Sequence, residues 1–313
     1  MGHTTTAMDK GPRFGCVARK PPEARPAWRE RVRRIDDWGY DVLLLPDHLG
    51  LPAPLVALVA AADVSDRLRF GTQVLNVEFW NPALLARECA TADLLTGGRL
   101  EVGLGAGNVA AEFRAVGLRY PPARDRVDHL GEAVPLLRRL LTGEEVTWHG
   151  HYRLQRCAIG FSSLQQPVPL MVGGNGNRVL QVAARHADIV GITGFTAGTG
   201  PHDNALTHFS WHGLEDRVAH VRREAGSRAD DVELSVLLQA VVLTDRPRTK
   251  AEEMAREFER PPEVLRDSPF VMIGSPVALA DHVRRMRDDH GVTYLTVPEP
   301  SAEAFARVME RVR

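Results

Sequence analysis

From Arg13 to the C-terminus, short apolar runs rich in β-branched residues alternate with longer stretches of helical period. This alternation constrains the fold more than any other feature, because repeated βα units build parallel sheets covered by helices. Strands are expected at 13–18 (RFGCVA), 41–46 (DVLLLP), 68–75 (RLRFGTQV), 99–105 (RLEVGLG), 168–173 (VPLMVG), 187–193 (ADIVGIT), 232–243 (VELSVLLQAVVL) and 292–297 (VTYLTV). Eight strands favour closure into an α/β (β/α)8 TIM barrel.

Helix punctuation agrees. Asn81 before Pro82 opens a helix that Gly97-Gly98 closes, and Ser275-Pro276 opens another ending near Gly291. Val127, Leu130, Val134, Leu137 and Leu141 mark one face of a further helix, which Pro135 should bend. The chain has 313 residues, more than the roughly 250 of a minimal barrel. The surplus falls in a tail at 1–12, expected to be disordered, in the stretch 144–167 that begins with a hairpin (144–155), and in a loop at 194–213. A loop that long is expected to act as a lid or binding loop. Residues 13–313 therefore read as one barrel domain with insertions.

Charge narrows the partners. With 39 basic and 40 acidic residues the chain lacks the overall field that draws proteins to nucleic acid or an anionic membrane. Cys16, Cys89 and Cys157 stand far apart, and the N-terminus has no apolar core of a signal peptide. A cytoplasmic, soluble protein is expected. His149/His151 and His208/His212 have metal-like spacing but no third ligand, so no metal is expected.

In a barrel of this kind the chemistry lies at the C-terminal strand ends. The second strand ends in Asp47-His48. His48 reads either as a satisfied rim histidine or as a proton donor and acceptor, since imidazole titrates near neutrality. The fourth strand runs into GLGAGN, where Gly105, Gly107 and their neighbours allow close approach of a flat or phosphorylated ligand. The Gly105-x-Gly107-x-x-Ala110 register mimics a dinucleotide fingerprint, but a Rossmann domain places that motif in its first βα turn. The fifth strand runs into GGNGN, with Gly173, Gly174 and Asn175 just before a helical stretch. Backbone N–H groups at such a helix start form an anion site, typically for phosphate.

Three segments in order carry a resemblance: DDWGYDVLLLPDH, LRFGTQVLNVEFWNPALLARECATADLLTGGRLEVGLGAG and VPLMVGGNGNRVLQVAARHADIVGI. They resemble the bacterial luciferase-like flavin and deazaflavin oxidoreductases, particularly the branch using coenzyme F420. The resemblance implies a barrel with a cofactor across the strand ends, backed by a bulge with a non-prolyl cis peptide at Gln73-Val74. Asn76, Gly105, Ala106 and Gly107 would line the ring and ribityl region, with Asp47 beside them, and Gly173, Gly174 and Asn175 would hold the phosphate. His48 matches a proton-handling histidine. Asn108 stands where related sugar-phosphate dehydrogenases carry an acidic glutamate, and an amide cannot supply a proton. Trp80 replaces a frequent arginine, which with Phe195 implies a more apolar substrate side; Phe79, Phe113, Phe209 and Trp211 could extend it. The implied activity is that of an F420-dependent oxidoreductase run as a reductase, passing hydride to a polarised double bond of a small organic substrate, as a homodimer. The alternatives are an FMN-dependent monooxygenase using reduced flavin and oxygen, and a barrel that binds flavin or deazaflavin without turnover.

Overall fold

The structure, a computed structural model, describes residues 11–20, 23–196, 206–257 and 259–313. Most of the expected tail and the centre of the 194–213 loop lie outside the described residues. The strands are β1 (Arg13–Val17), β2 (Val42–Leu45), β3 (Arg69–Thr72), β4 (Leu75–Asn76), β5 (Leu100–Gly105), β6 (Val146–His149), β7 (Arg153–Cys157), β8 (Leu170–Gly174), β9 (Ile189–Ile192), β10 (Glu233–Leu237), β11 (Ala240–Leu243), β12 (Val271–Gly274) and β13 (Val292–Pro298).

β3, β2, β1, β13, β10, β9, β8 and β5 pair in that order, and β3 pairs again with β5, closing an eight-stranded parallel barrel. Each barrel strand coincides with one of the eight expected runs. The VLLL of β2 is buried along its whole length, as required of a parallel strand covered on both faces. The run 232–243 is two strands rather than one. After β10 the chain changes partner: Leu238 N–H donates to Thr296 O, and Gln239 N–H donates to Phe270 O. β11 then pairs in parallel with β12, a strand the sequence reading missed, outside the barrel.

Local chemistry sets the helix ends. Asn81 accepts from Ala83 N–H at 2.9 Å ahead of Pro82, and Ser275 accepts from Ala278 N–H at 3.3 Å, so both side chains cap as expected. Gly291 takes the left-handed conformation (φ 72°) that ends the helix Pro276–His290. The helix Ala123–Leu141 continues through Pro135. The expected hairpin is β6–β7. It is docked by Glu132, which accepts from Trp148 Nε1 (3.0 Å), His151 N (3.1 Å) and Tyr152 N (3.4 Å). Burial works to raise the Glu132 pKa, but these donors win and hold it below the carboxylate norm. A Cβ at Gly150 would lie 2.3 Å from that carboxylate, so a larger residue there would displace the Glu132 side chain.

Most of the core fills the space between strands and helices. A second cluster, Val17, Val42, Leu44, Met171, Ile189, Leu237 and Tyr294, packs within the barrel, and Val74 lies against it. At the opposite, N-terminal end, Arg13 NH1 donates to Glu101 Oε1 (2.8 Å) and its Nε and NH2 to Glu233, while Arg69 Nε donates to Glu101 (2.6 Å). Among the described residues, no helix is long and apolar enough to cross a membrane.

Candidate active site at the strand ends

The bulge between β3 and β4 organises the rim. Its Gln73–Val74 peptide is cis. Thr72 Oγ1 clasps the neighbouring strand, donating to Gly103 O (2.9 Å) and accepting from Gly103 N–H (2.8 Å). Val74 then turns over the barrel mouth. A Cβ would lie 2.6 Å from Val74 Cγ2 at Gly105, and 3.2 Å and 3.1 Å from Val74 Cγ1 at Gly103 and Gly173. All three distances are inside ordinary contact, so the glycines seat Val74. What fills the space they leave is a side chain of this chain. The same holds at Gly107, where a Cβ would meet Asn76 Oδ1 at 2.3 Å, and at Gly174, where it would meet Val179 Cγ1 at 2.5 Å. Ala106 packs partly buried against the core.

Asp47 joins β2 to this bulge. Its Oδ2 accepts from Asn76 N–H and from Trp80 Nε1–H, both at 3.2 Å. Trp80 is thereby anchored by its indole N–H, with its ring partly buried at the rim. Asn76 Oδ1 accepts from Glu78 N–H (3.2 Å) and caps the short turn Val77–Phe79. Glu78 in turn pairs with His129 Nδ1 at 2.8 Å, and His129 stacks on His151 at 3.3 Å. A cavity of about 340 Å³ opens between this turn and Tyr152. A larger one, about 480 Å³, sits among Glu252, Arg256 and Pro261 on outer helices, lined by none of the candidate residues.

His48 is 40% exposed, and its Nδ1 lies 3.0 and 3.2 Å from the two carboxylate oxygens of Glu112. Glu112 also accepts from Leu49 N–H at 3.1 Å. Asn108 is exposed. Its side chain makes none of these bonds, and its carbonyl accepts only from Tyr120 OH at 3.4 Å. The carboxylate beside His48 thus comes from four residues beyond Asn108, within the helix Ala110–Ala115.

The GGNGN turn enters the helix Asn177–His186, whose N-cap is Gly176 and whose first turn has no side-chain cap. Asn175 is 3% exposed. Its Nδ2 donates to His208 Nδ1 (3.0 Å) and Thr207 Oγ1 (3.3 Å), while its Oδ1 is buried without a partner among the described residues. Gln73 Oε1, on the bulge, is likewise buried and unpartnered. Beneath the turn Arg217, 5% exposed, donates to Asn175 O (3.3 Å) and to Asn177 Oδ1. Burial, reinforced by Arg217 and opposed by Asp216, keeps the His208 imidazole below its usual pKa. A neutral ring accepts from Asn175 at Nδ1 and leaves Nε2 for the Asp216 side, 3.7 Å away.

The luciferase-like monooxygenase family model matches residues 13–312. The chain belongs to that family. Among curated relatives, the F420-dependent glucose-6-phosphate dehydrogenase of Nakamurella multipartita is 30% identical over 230 residues, 71% of this chain. That alignment spans 64% of the relative's length, just under two thirds. The enzyme of the same name from Beutenbergia cavernae is 27% identical over 296 residues, 86% of this chain and 85% of that one. An F420-dependent secondary alcohol dehydrogenase in complex with an F420-acetone adduct superposes with a TM-score of 0.77 at 18% identity, covering 97% of this chain and all of that one. A long-chain alkane monooxygenase superposes with a TM-score of 0.75 at 15% identity, over 97% and 91% of the two chains. At such identities the likeness establishes the shared barrel.

In this luciferase-like barrel the candidate residues group as two rim patches. Asp47, Gln73, Val74, Asn76 and Trp80, with Gly105 and Gly107, form one, and Gly173, Gly174 and Asn175 the other. Phe195 leaves β9 partly buried, beyond Gly194, whose site a Cβ could not share with Phe270. Phe113 and Phe209 are core residues: Phe113 packs tilted on Phe79 and edge-on to Tyr120, and Phe209 stacks on Phe270. Trp211 is held by His282, His290 and Arg285. Sequence reading missed Glu112 and Arg217. Both meet the site across sequence separations of 64 and 42 residues, which no local motif records.

Proposed function

We propose that this chain is an F420-dependent oxidoreductase that works as a reductase on a small organic substrate. The observation that carries the reading is the buried side-chain amide oxygen Gln73 Oε1, which has no hydrogen-bond partner among the described residues and can accept from a ring N–H. Such groups cost free energy unless something satisfies them. Gln73 stands on the bulge where the resemblance puts the ring.

The residues fit the group. Val74, level on its glycines, offers an apolar floor for a flat ring, and Asn76 and Gln73 offer polar atoms at its edge. Gly173, Gly174 and Asn175 with the uncapped helix start would take the phosphate, and Arg217, paired with Asp216, holds the turn from below. When bound, reduced F420 supplies a hydride. The protein's part is to orient the acceptor over the rim and exchange a proton through His48. Asn108, an amide on an exposed strand end, suits a hydrogen bond to the substrate rather than proton supply. Anchored Trp80 and partly buried Phe195 give the substrate side an apolar wall. The names of the curated relatives support the deazaflavin, and the substrate need not be theirs, because the acid is replaced.

A homodimer belongs to the same reading: Val56, Leu84, Leu94 and Leu95 are exposed on the helices Pro54–Ala62 and Pro82–Leu95 and supply apolar surface for it. Cytoplasmic residence is in keeping with the three free cysteines. Fluorescence titration of the protein with F420 and, separately, with FMN tests the cofactor assignment. Saturable one-to-one binding of F420 in preference to FMN is expected; tight FMN binding with no affinity for F420 would overturn it and favour the monooxygenase reading.

A further inference from the structure

The resemblance assigns His48 but says nothing of what holds it. We propose that Glu112 is a positioning residue: its carboxylate fixes His48 as the Nδ1–H tautomer and leaves Nε2 as the nitrogen that exchanges protons at the rim. This rests on the functional reading above only in taking His48 as the proton-handling group.

An ordinary surface ion pair would carry no such meaning, since exposed pairs contribute little and move freely. This one is built differently. Glu112 is 15% exposed, and it receives both the His48 Nδ1 contact and the main-chain N–H of Leu49 at 3.1 Å. The carboxylate is therefore tied to the same backbone segment that carries the imidazole. Its helix, Ala110–Ala115, has six residues, too few to hold direction alone. Phe113 provides the anchor: it is 1% exposed and packs on Phe79 (5.1 Å) and Tyr120 (4.9 Å). With Phe113 pinned inward, the residue before it faces His48.

A carboxylate only accepts, so Nδ1 must carry the proton that it donates to Glu112. In the neutral ring Nε2 is then an acceptor, and it makes no hydrogen bond within the described residues. When His48 takes a proton, the positive ring remains beside a negative charge; when it gives one up, the same tautomer returns. The arrangement supplies, four residues later and at second hand, the negative charge that Asn108 lacks. Glu112 need not touch the substrate.

The test uses the cofactor-free protein first. Long-range 1H–15N spectra of the histidine rings, recorded well above the ordinary imidazole pKa, read the tautomer directly, with His48→Ala identifying the signal. The wild type is expected to show protonated Nδ1 and unprotonated Nε2, and Glu112→Leu to lose that preference. With F420 and an accepted substrate, Glu112→Leu is expected to lower kcat about 10- to 100-fold, as loss of a histidine's outer partner commonly does, with F420 affinity changed less than twofold. Glu112→Asp should recover part of the rate, and Glu112→Leu should cost nothing further in a His48→Ala background. A wild-type Nε2–H tautomer, or a tautomer unchanged in Glu112→Leu, overturns the proposal. So does an unchanged kcat. If Glu112→Leu does not fold, Glu112→Ala, which also removes the acceptor, is read in its place with the same expected and overturning results. Failure of F420 to bind would refute the functional reading while leaving the tautomer result to decide this one.

Discussion

Gly105→Ala separates two explanations of the glycine-rich rim: room for a ligand, or room for Val74. An ideal Cβ at this position lies 2.6 Å from Val74 Cγ2, against about 3.5–4.0 Å for relaxed carbon contacts. The bulge must then move by about 1 Å, and overpacking of that kind costs roughly 1–3 kcal/mol. An unfolding entropy near 2.1 cal/mol/K per residue over 313 residues converts this to about 1.5–4.5 °C in Tm. Val74→Ala alone should cost about 1–2 kcal/mol through lost packing on the inner core. Combined, the variants no longer clash, so the double mutant should be less destabilised than the sum by about 1–2 kcal/mol, the usual coupling of touching residues. Gly103→Ala is the control: its Cβ would fall 2.0 Å from the Thr72 carbonyl oxygen, which Val74→Ala cannot relieve. Thermal melts of the four proteins and the two controls read the cycle. Strict additivity for Gly105 and Val74, or equal rescue of Gly103→Ala, would refute the seating argument.

Two further predictions address the other end of the barrel and the GGNGN turn. Glu101, 3% exposed, is bonded by both Arg13 and Arg69; burial pushes its pKa up, but the two guanidinium groups outweigh burial and hold it below the usual 4.5. A carboxylate depressed in the folded state stabilises above its unfolded pKa and loses that contribution as pH falls through the folded one. Glu101→Gln should therefore cost about 3–5 kcal/mol near neutrality, and denaturant melts should show the gap to wild type closing below about pH 4. Arg217→Met removes the charged donor that holds the turn at Asn175 O and Asn177 Oδ1 and should weaken F420 binding about 10-fold while leaving a phosphate-free deazaflavin within twofold; equal losses for both ligands would place Arg217 in folding alone.

The barrel was legible because a strand buried on both faces must be a continuous apolar run, as VLLL of β2 is. β12 was not, since four residues of VMIG carry no period by which a strand differs from a buried helical turn. For the same reason 232–243 read as one strand. The change of partner at Gln239 depends on Phe270, a distant neighbour. At the site, Asp47, His48 and the glycines stood out because polar or small residues interrupt apolar runs. Their reasons did not: the fillers of the glycine spaces, Val74, Asn76 and Val179, are visible only in three dimensions. Glu112 looked like one of many surface acids until the fold set it against His48.

Anaerobic single turnover tests the central claim most directly. Protein mixed with one equivalent of reduced F420 and a panel of activated alkenes, imines and carbonyl compounds should return oxidised F420 in step with product from at least one acceptor, without oxygen, and His48→Ala should slow that step. Product that forms only with reduced FMN and oxygen, with F420 neither bound nor reoxidised, would contradict it.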